Sequence, residues 1–143
     1  MPSWRDSASQ QCQDDLDGLL NMTLPLAQQM LEKQGEFFPF GAVMTTGGEA
    51  QLLGADPGLG ERPASAAVLA TMRGGIHDHR ARYRAVATCF DVRLPESDAV
   101  RIELEHQEGP VMAVFLPYKK KRFGGGVEYG ELGLGAADRQ VWA

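Results

Sequence analysis

The 143 residues are 43% hydrophobic, enough for one ordinary domain with a real core, and the net charge of −5 supplies no overall field that would draw the chain onto a polyanion. Two cysteines, Cys12 in a polar head and Cys89 in an apolar run, do not make a disulfide framework, and Cys89 reads as a small buried hydrophobe. The N-terminus lacks the apolar core of a signal peptide and no apolar run approaches the ~18 residues of a membrane span, so the expectation is a soluble cytoplasmic protein with no membrane partner.

Residues 1–13 are polar without periodicity and are expected to form a mobile head. From Asp14 onward Leu16, Leu19, Leu20, Thr23, Leu24, Ala27, Met30 and Leu31 recur at helical spacing, and Gly35 is the stop. Pro25 falls inside this pattern, where it removes the hydrogen bond to the Asn21 carbonyl, so a kink or a restart capped by Thr23 is expected. Residues 42–46 and 49–54, joined by Gly47-Gly48, predict a hairpin with a type I′ turn. The Gly- and Pro-rich residues 55–62 predict a loop, and Pro63 opens a second helix with Val68, Leu69, Met72, Ile76 and Tyr83 on one side, weakened at Gly74-Gly75. After that the period becomes two. Arg84–Leu94 and Ala99–Gln107 read as strands, the latter with Val100, Ile102 and Leu104 on one face and Arg101, Glu103 and Glu105 on the other. A Glu108-Gly109-Pro110 turn leads to a strand at Val111–Tyr118, and Val127–Leu132 adds a last short one. The resulting expectation is a single α+β domain over residues 14–135, in the order helix, hairpin, helix, then three or four antiparallel strands, with helices packed on the sheet and a C-terminal tail at 136–143.

For chemistry, the spacing of His77 and His79 to Thr88 and Asp91 is similar to the metal site of MPN-type isopeptidases, which carry His-x-His-Pro followed by Ser and Asp. Arg80 stands where that family has Pro and Thr88 where it has Ser. Geometry opposes the match: residues two apart on a helix point roughly 200° apart, and residues three apart on a strand lie on opposite faces. The stretch Pro39–Met44 with Gly48-Glu49 resembles the first hairpin of the cytidine-deaminase fold, but the His-x-Glu and Pro-Cys-x-x-Cys zinc motifs of those enzymes are missing. Glu103, Glu105, His106 and Glu108 cluster on one strand and its turn, where they either hold a cation or form a solvent-facing surface opposite Val100, Ile102 and Leu104. In the run Lys119-Lys120-Lys121-Arg122, between Tyr118 and Phe123, successive side chains alternate in face, so at most two meet one phosphate backbone. With the acidic balance elsewhere, this argues against nucleic acid and for an edge kept soluble.

The stretches Gly35-x-Phe37-x-Pro39-Phe40-Gly41, Glu103-Leu104-Glu105-His106, Phe115-Leu116-Pro117-Tyr118 and Glu128-Tyr129-Gly130-Glu131 resemble those of a small group of uncharacterised bacterial proteins. The resemblance spans about Leu16 to Leu132 and implies one domain, without implying an activity. The sequence reading is therefore a non-enzymatic protein-binding or dimerising module with no assigned catalytic residue or cofactor. Its expected partner surface is Phe37, Tyr118, Lys119, Lys121 and Phe123. The alternative is a metal-dependent hydrolase or deaminase-like scaffold using His77, His79 and Asp91.

Overall fold

The computed structural model describes residues 3–54, 64–121 and 123–143; the loop expected at 55–62, the helix start at Pro63 and Arg122 lie outside the described residues. Helix α1 (Gln10–Gln34) starts where Ser9 accepts the Cys12 N–H at 3.1 Å, and it ends where the Gly35 N–H reaches the Leu31 carbonyl. It begins inside the segment expected to be a polar head, because Cys12 and Asp15 extend the buried stripe of Leu16, Leu19, Thr23, Ala27 and Leu31 by one turn. The restart expected at Pro25 does not occur. Pro25 sits on the exposed side, and Thr23 donates to the Leu19 carbonyl at 2.9 Å instead of capping a new helix. Continuity of the buried stripe offsets the lost backbone bond, since each fully buried Leu contributes about 1.5–3 kcal/mol.

Strands β1 (Phe40–Thr45) and β2 (Ala50–Leu53) form the hairpin. Its turn differs from the expected type I′: Thr45 and Glu49 close a three-residue loop, and Gly48 at φ 91° takes the positive angle. That is the wider hairpin in which one residue, not two, must be left-handed. Helix α2 (Ser65–Asp78) follows, then β3 (Tyr83–Arg93), β4 (Asp98–His106), β5 (Val111–Lys120), β6 (Val127–Tyr129) and β7 (Gly133–Gly135). Tyr83, expected on the second helix, opens β3. The order departs from the expected one in two ways among the described residues: 3-10 turns precede α1 and follow α2, and five strands rather than three or four follow α2. The strand expected at 127–132 ends at Tyr129, and a further strand lies beyond it, β6 pairing Tyr118–Lys120 and β7 pairing Ala113–Phe115 along the same side of β5.

The protein is α+β, with every strand pair antiparallel in the order β2-β1-β3-β4-β5-β6 and β7 beside β5. Helix α1 lies across one face, on Ala85, Ala87, Cys89, Ile102, Leu104 and Val114. Helix α2 lies on the other, where Met72 and Ile76 pack with Val43, Val86 and Val141. At Gly41 a Cβ would stand 2.8 Å from the Ala87 carbonyl oxygen and 3.1 Å from Met72 Sδ, so this position of β1 lets α2 sit close. No helix among the described residues is long and apolar enough to cross a membrane.

Residues 136–143 do not trail from the domain. Val141 is buried, and the backbone N–H groups of Gln140, Val141 and Trp142 all donate to the Glu105 carboxylate at 2.8–3.2 Å. Arg139 adds bonds to the carbonyls of His106, Gly109 and Trp142.

Candidate functional site

The sheet separates the three residues of the expected metal alternative. His77 is half-exposed in the last turn of α2, and His79 follows the helix with its Nδ1 2.9 Å from the Gly75 carbonyl. Asp91 lies on the face of α1, in register with Val100, and accepts a hydrogen bond from Tyr118 at 2.8 Å. Burial pushes its carboxyl above the ordinary range, against the opposing pull of the Tyr118 hydrogen bond. Thr88 faces the side of α2, so the helix and strand periodicities dispose of this constellation as geometry requires.

Two members of the expected partner surface are interior. Phe37 is 8% exposed and meets Phe40 edge-on at 6.0 Å, while Tyr118 is 3% exposed. The reason is periodicity: Tyr118 continues the inward row Val114, Leu116 of β5 and pairs with Tyr129. Burial, followed by the bond to Asp91, pushes the Tyr118 phenol up, and burial with Glu32 nearby pushes Tyr129 up to about 12. Lys119 and Lys121 are exposed and Phe123 is 84% exposed, so these three do lie at the surface.

The first polar constellation that the fold assembles joins the start of α1 to the ends of β3 and β4. Asp15 accepts two N–H groups from Arg84, both at 2.9 Å, and lies 2.9 Å from His106 Nε2. His106 is fully buried, and its Nδ1 accepts the Glu108 N–H at 3.2 Å, which leaves the proton on Nε2 to be donated to Asp15. Cys12 and Glu108 complete the group: one ligand atom each of Cys12, His106 and Glu108 lie within 4.8 Å of one another. Ser9, besides capping α1, holds the Glu108 carboxylate at 2.7 and 2.9 Å.

A Cys, a His and an Asp in contact suggest nucleophilic chemistry, but the thiol is wrongly tuned. Burial, then the charges of Glu108 and Asp15, push Cys12 up to about 11, so it carries its proton near neutrality. Burial pushes Cys89 up further. The sequence reading grouped His106 with Glu103 and Glu105; the alternation of β4 instead places it with Ile102 and Leu104, facing α1. Extending that alternation one step, and reading Cys12, Asp15, Leu16 and Leu19 as one helical stripe, are the signals that identify the pair.

The second constellation lies on the opposite face. Glu103, which the sequence leaves open as a solvent-facing group, is contacted by Arg73 at 3.2 Å and Arg101 at 3.1 Å. Each arginine also covers a ring, Arg73 over Phe90 at 5.3 Å and Arg101 over Phe115 at 4.9 Å. These side chains are half-buried, and the Arg73 Nε is a buried donor without an acceptor among the described residues. Beside them a cavity of about 60 Å³ is lined by Arg73, Thr88, Glu103, Glu105, Asp138 and Val141. Glu105 is 5% exposed rather than solvent-facing, because the C-terminal residues cover it. No family profile, curated protein or solved structure matches the chain.

Proposed function

We propose that the chain is a non-enzymatic, cytoplasmic protein-binding module of the bacterial group it resembles, acting by self-association or on a protein partner through the sheet face beside α2. The observation that carries this reading is the row Phe90, Arg73, Glu103, Arg101 and Phe115, in which two cations stack on two rings and share one carboxylate while remaining partly exposed. Arginines and aromatics are the side chains enriched in interface centres, and rings already covered by guanidinium groups lose little freedom when a partner packs on them. Exposed Lys119 supplies a cationic rim near Pro117 on the same side of β5.

Sedimentation velocity at two widely separated concentrations tests self-association. The expected result is a concentration-dependent shift toward dimer that is reduced by Arg101→Ala and by Phe115→Ala. A strictly monomeric species removes self-association from the reading; a shift unchanged by both variants moves the interface elsewhere. For a partner other than the chain itself, a photo-crosslinking residue at position 115 is expected to capture it, with a matched residue at exposed position 36 as the control.

A further inference from the structure

We propose that Cys12 Sγ, His106 Nδ1 and the Glu108 carboxylate form a binding site for a divalent transition metal of the zinc type, at the junction of α1 with the β4–β5 turn. The donors already lie within 4.8 Å of one another, so modest side-chain rotations bring them to the ~2.0–2.3 Å bonds that zinc makes. A thiolate, an imidazole and a carboxylate suit zinc or cobalt and not magnesium or calcium, which take oxygen donors alone.

The histidine is prepared as metal-bound histidines are. Its Nε2 donates to Asp15, and Asp15 is itself fixed by two N–H groups of Arg84. A carboxylate on the far nitrogen sets the tautomer, orients the ring and raises the basicity of the ligating nitrogen. That ligating nitrogen is Nδ1, whose only partner among the described residues is the Glu108 N–H at 3.2 Å, a longer bond than those around it. The metal takes this lone pair in place of the amide proton. Cys12, fully buried, makes no side-chain hydrogen bond among the described residues, so its sulfur has no competing partner. Ser9 fixes the third ligand through its two bonds to the Glu108 carboxylate.

The surrounding charge points the same way. Glu108 and Asp15 set two carboxylates around Cys12 and His106, and a divalent cation supplies positive charge where these groups converge. Cys12 and His106 are buried while Glu108 is exposed, so the ion enters from the side of Glu108 and keeps its fourth position toward solvent. The site is independent of the partner face proposed above, since His106 and the residues Phe90 and Arg101 lie on opposite sides of the sheet.

Titration of the full chain with Co²⁺ alone tests the proposal through the thiolate-to-cobalt charge-transfer absorption. The expected result is one equivalent bound, with the absorption displaced by Zn²⁺, lost in Cys12→Ser and retained in Cys89→Ser and in the His77→Ala/His79→Ala double variant. Glu108→Gln alters an exposed side chain and leaves the fold intact; its affinity for Co²⁺ is expected to fall by at least about tenfold. The proposal is overturned if the wild-type chain shows no such absorption, if the absorption survives Cys12→Ser, or if Glu108→Gln binds as tightly as wild type. Should Cys12→Ser not fold, Glu108→Gln and Cys89→Ser still decide.

Discussion

On the α1 face of the sheet Asp15 takes two bonds from Arg84 and one from His106; Asp15 and His106 are buried and Arg84 is mostly so. On the α2 face Glu103 is shared by Arg73 and Arg101, with the two arginines more exposed than Arg84 and one buried guanidinium nitrogen without an acceptor among the described residues. The same pairing of arginine with carboxylate thus serves two ends. Where a helix covers it, every polar group must be satisfied inside the fold, and the network ties three elements in one arrangement. Where α2 packs on β1 and the start of β3, the arginines around Glu103 stay partly exposed, which suits a surface that completes itself against something else.

That contrast sets an order of expected effects. The largest belongs to Asp15→Ala, which strands the Arg84 charge and the His106 N–H together in the interior; a loss of about 3–5 kcal/mol is expected by urea denaturation. A loss below about 1 kcal/mol would mean that the α1 network is as loosely held as the other. Glu105→Ala removes the acceptor shared by three backbone N–H groups and should lose about 2 kcal/mol, with faster amide hydrogen exchange at residues 140–142.

Tyr118→Phe removes one hydrogen bond to Asp91, for about 1 kcal/mol, and its pH profile is the sharper readout. The folded phenol titrates above its unfolded value near 10, so the folded state holds the proton longer. Its contribution is fully present below about pH 10 and is lost as the pH rises toward the folded value. Denaturation midpoints at successive pH values above that point should fall more steeply for the wild type than for Tyr118→Phe. The smallest effect on stability is expected for Arg101→Ala, under about 1 kcal/mol, because a half-exposed ion pair and cation–π stack are weak in water. Its influence should show in sedimentation instead.

Periodicity carried most of what the sequence revealed, and the misreadings came where it was abandoned for composition. Val100, Ile102 and Leu104 were legible as one face of β4, and the same count places His106 beside them and Tyr118 beyond Val114 and Leu116. Judged by composition, His106 reads as part of an acidic patch, Phe37 as part of an aromatic surface cluster, and Tyr118 as surface because charges flank it. The two faces of β4 are legible from alternation, as is the separation of His77 and His79 from Asp91, but not that α2 covers the second face. What no local pattern could supply were contacts across long stretches of chain: Asp15 meets His106 at a separation of 91 residues, and the C-terminal residues carry no periodicity that forecasts their docking on Glu105. Arg73, Arg101 and the rings beneath them likewise acquire meaning only when the Arg73 side chain reaches from α2 to Phe90 of β3 and Glu103 of β4.

The three amides gathered by Glu105 also bear on the order in which the molecule assembles. They close a loop of 35 to 37 residues with one side chain, so the closure entropy is met late, after β4 and β5 have paired and presented the carboxylate. An interaction made after the rate-limiting barrier governs how long the native state survives rather than how fast it forms. In stopped-flow measurements Glu105→Ala should therefore leave the refolding arm nearly unchanged and accelerate the unfolding arm, which makes the C-terminal strap a clasp on the lifetime of the fold.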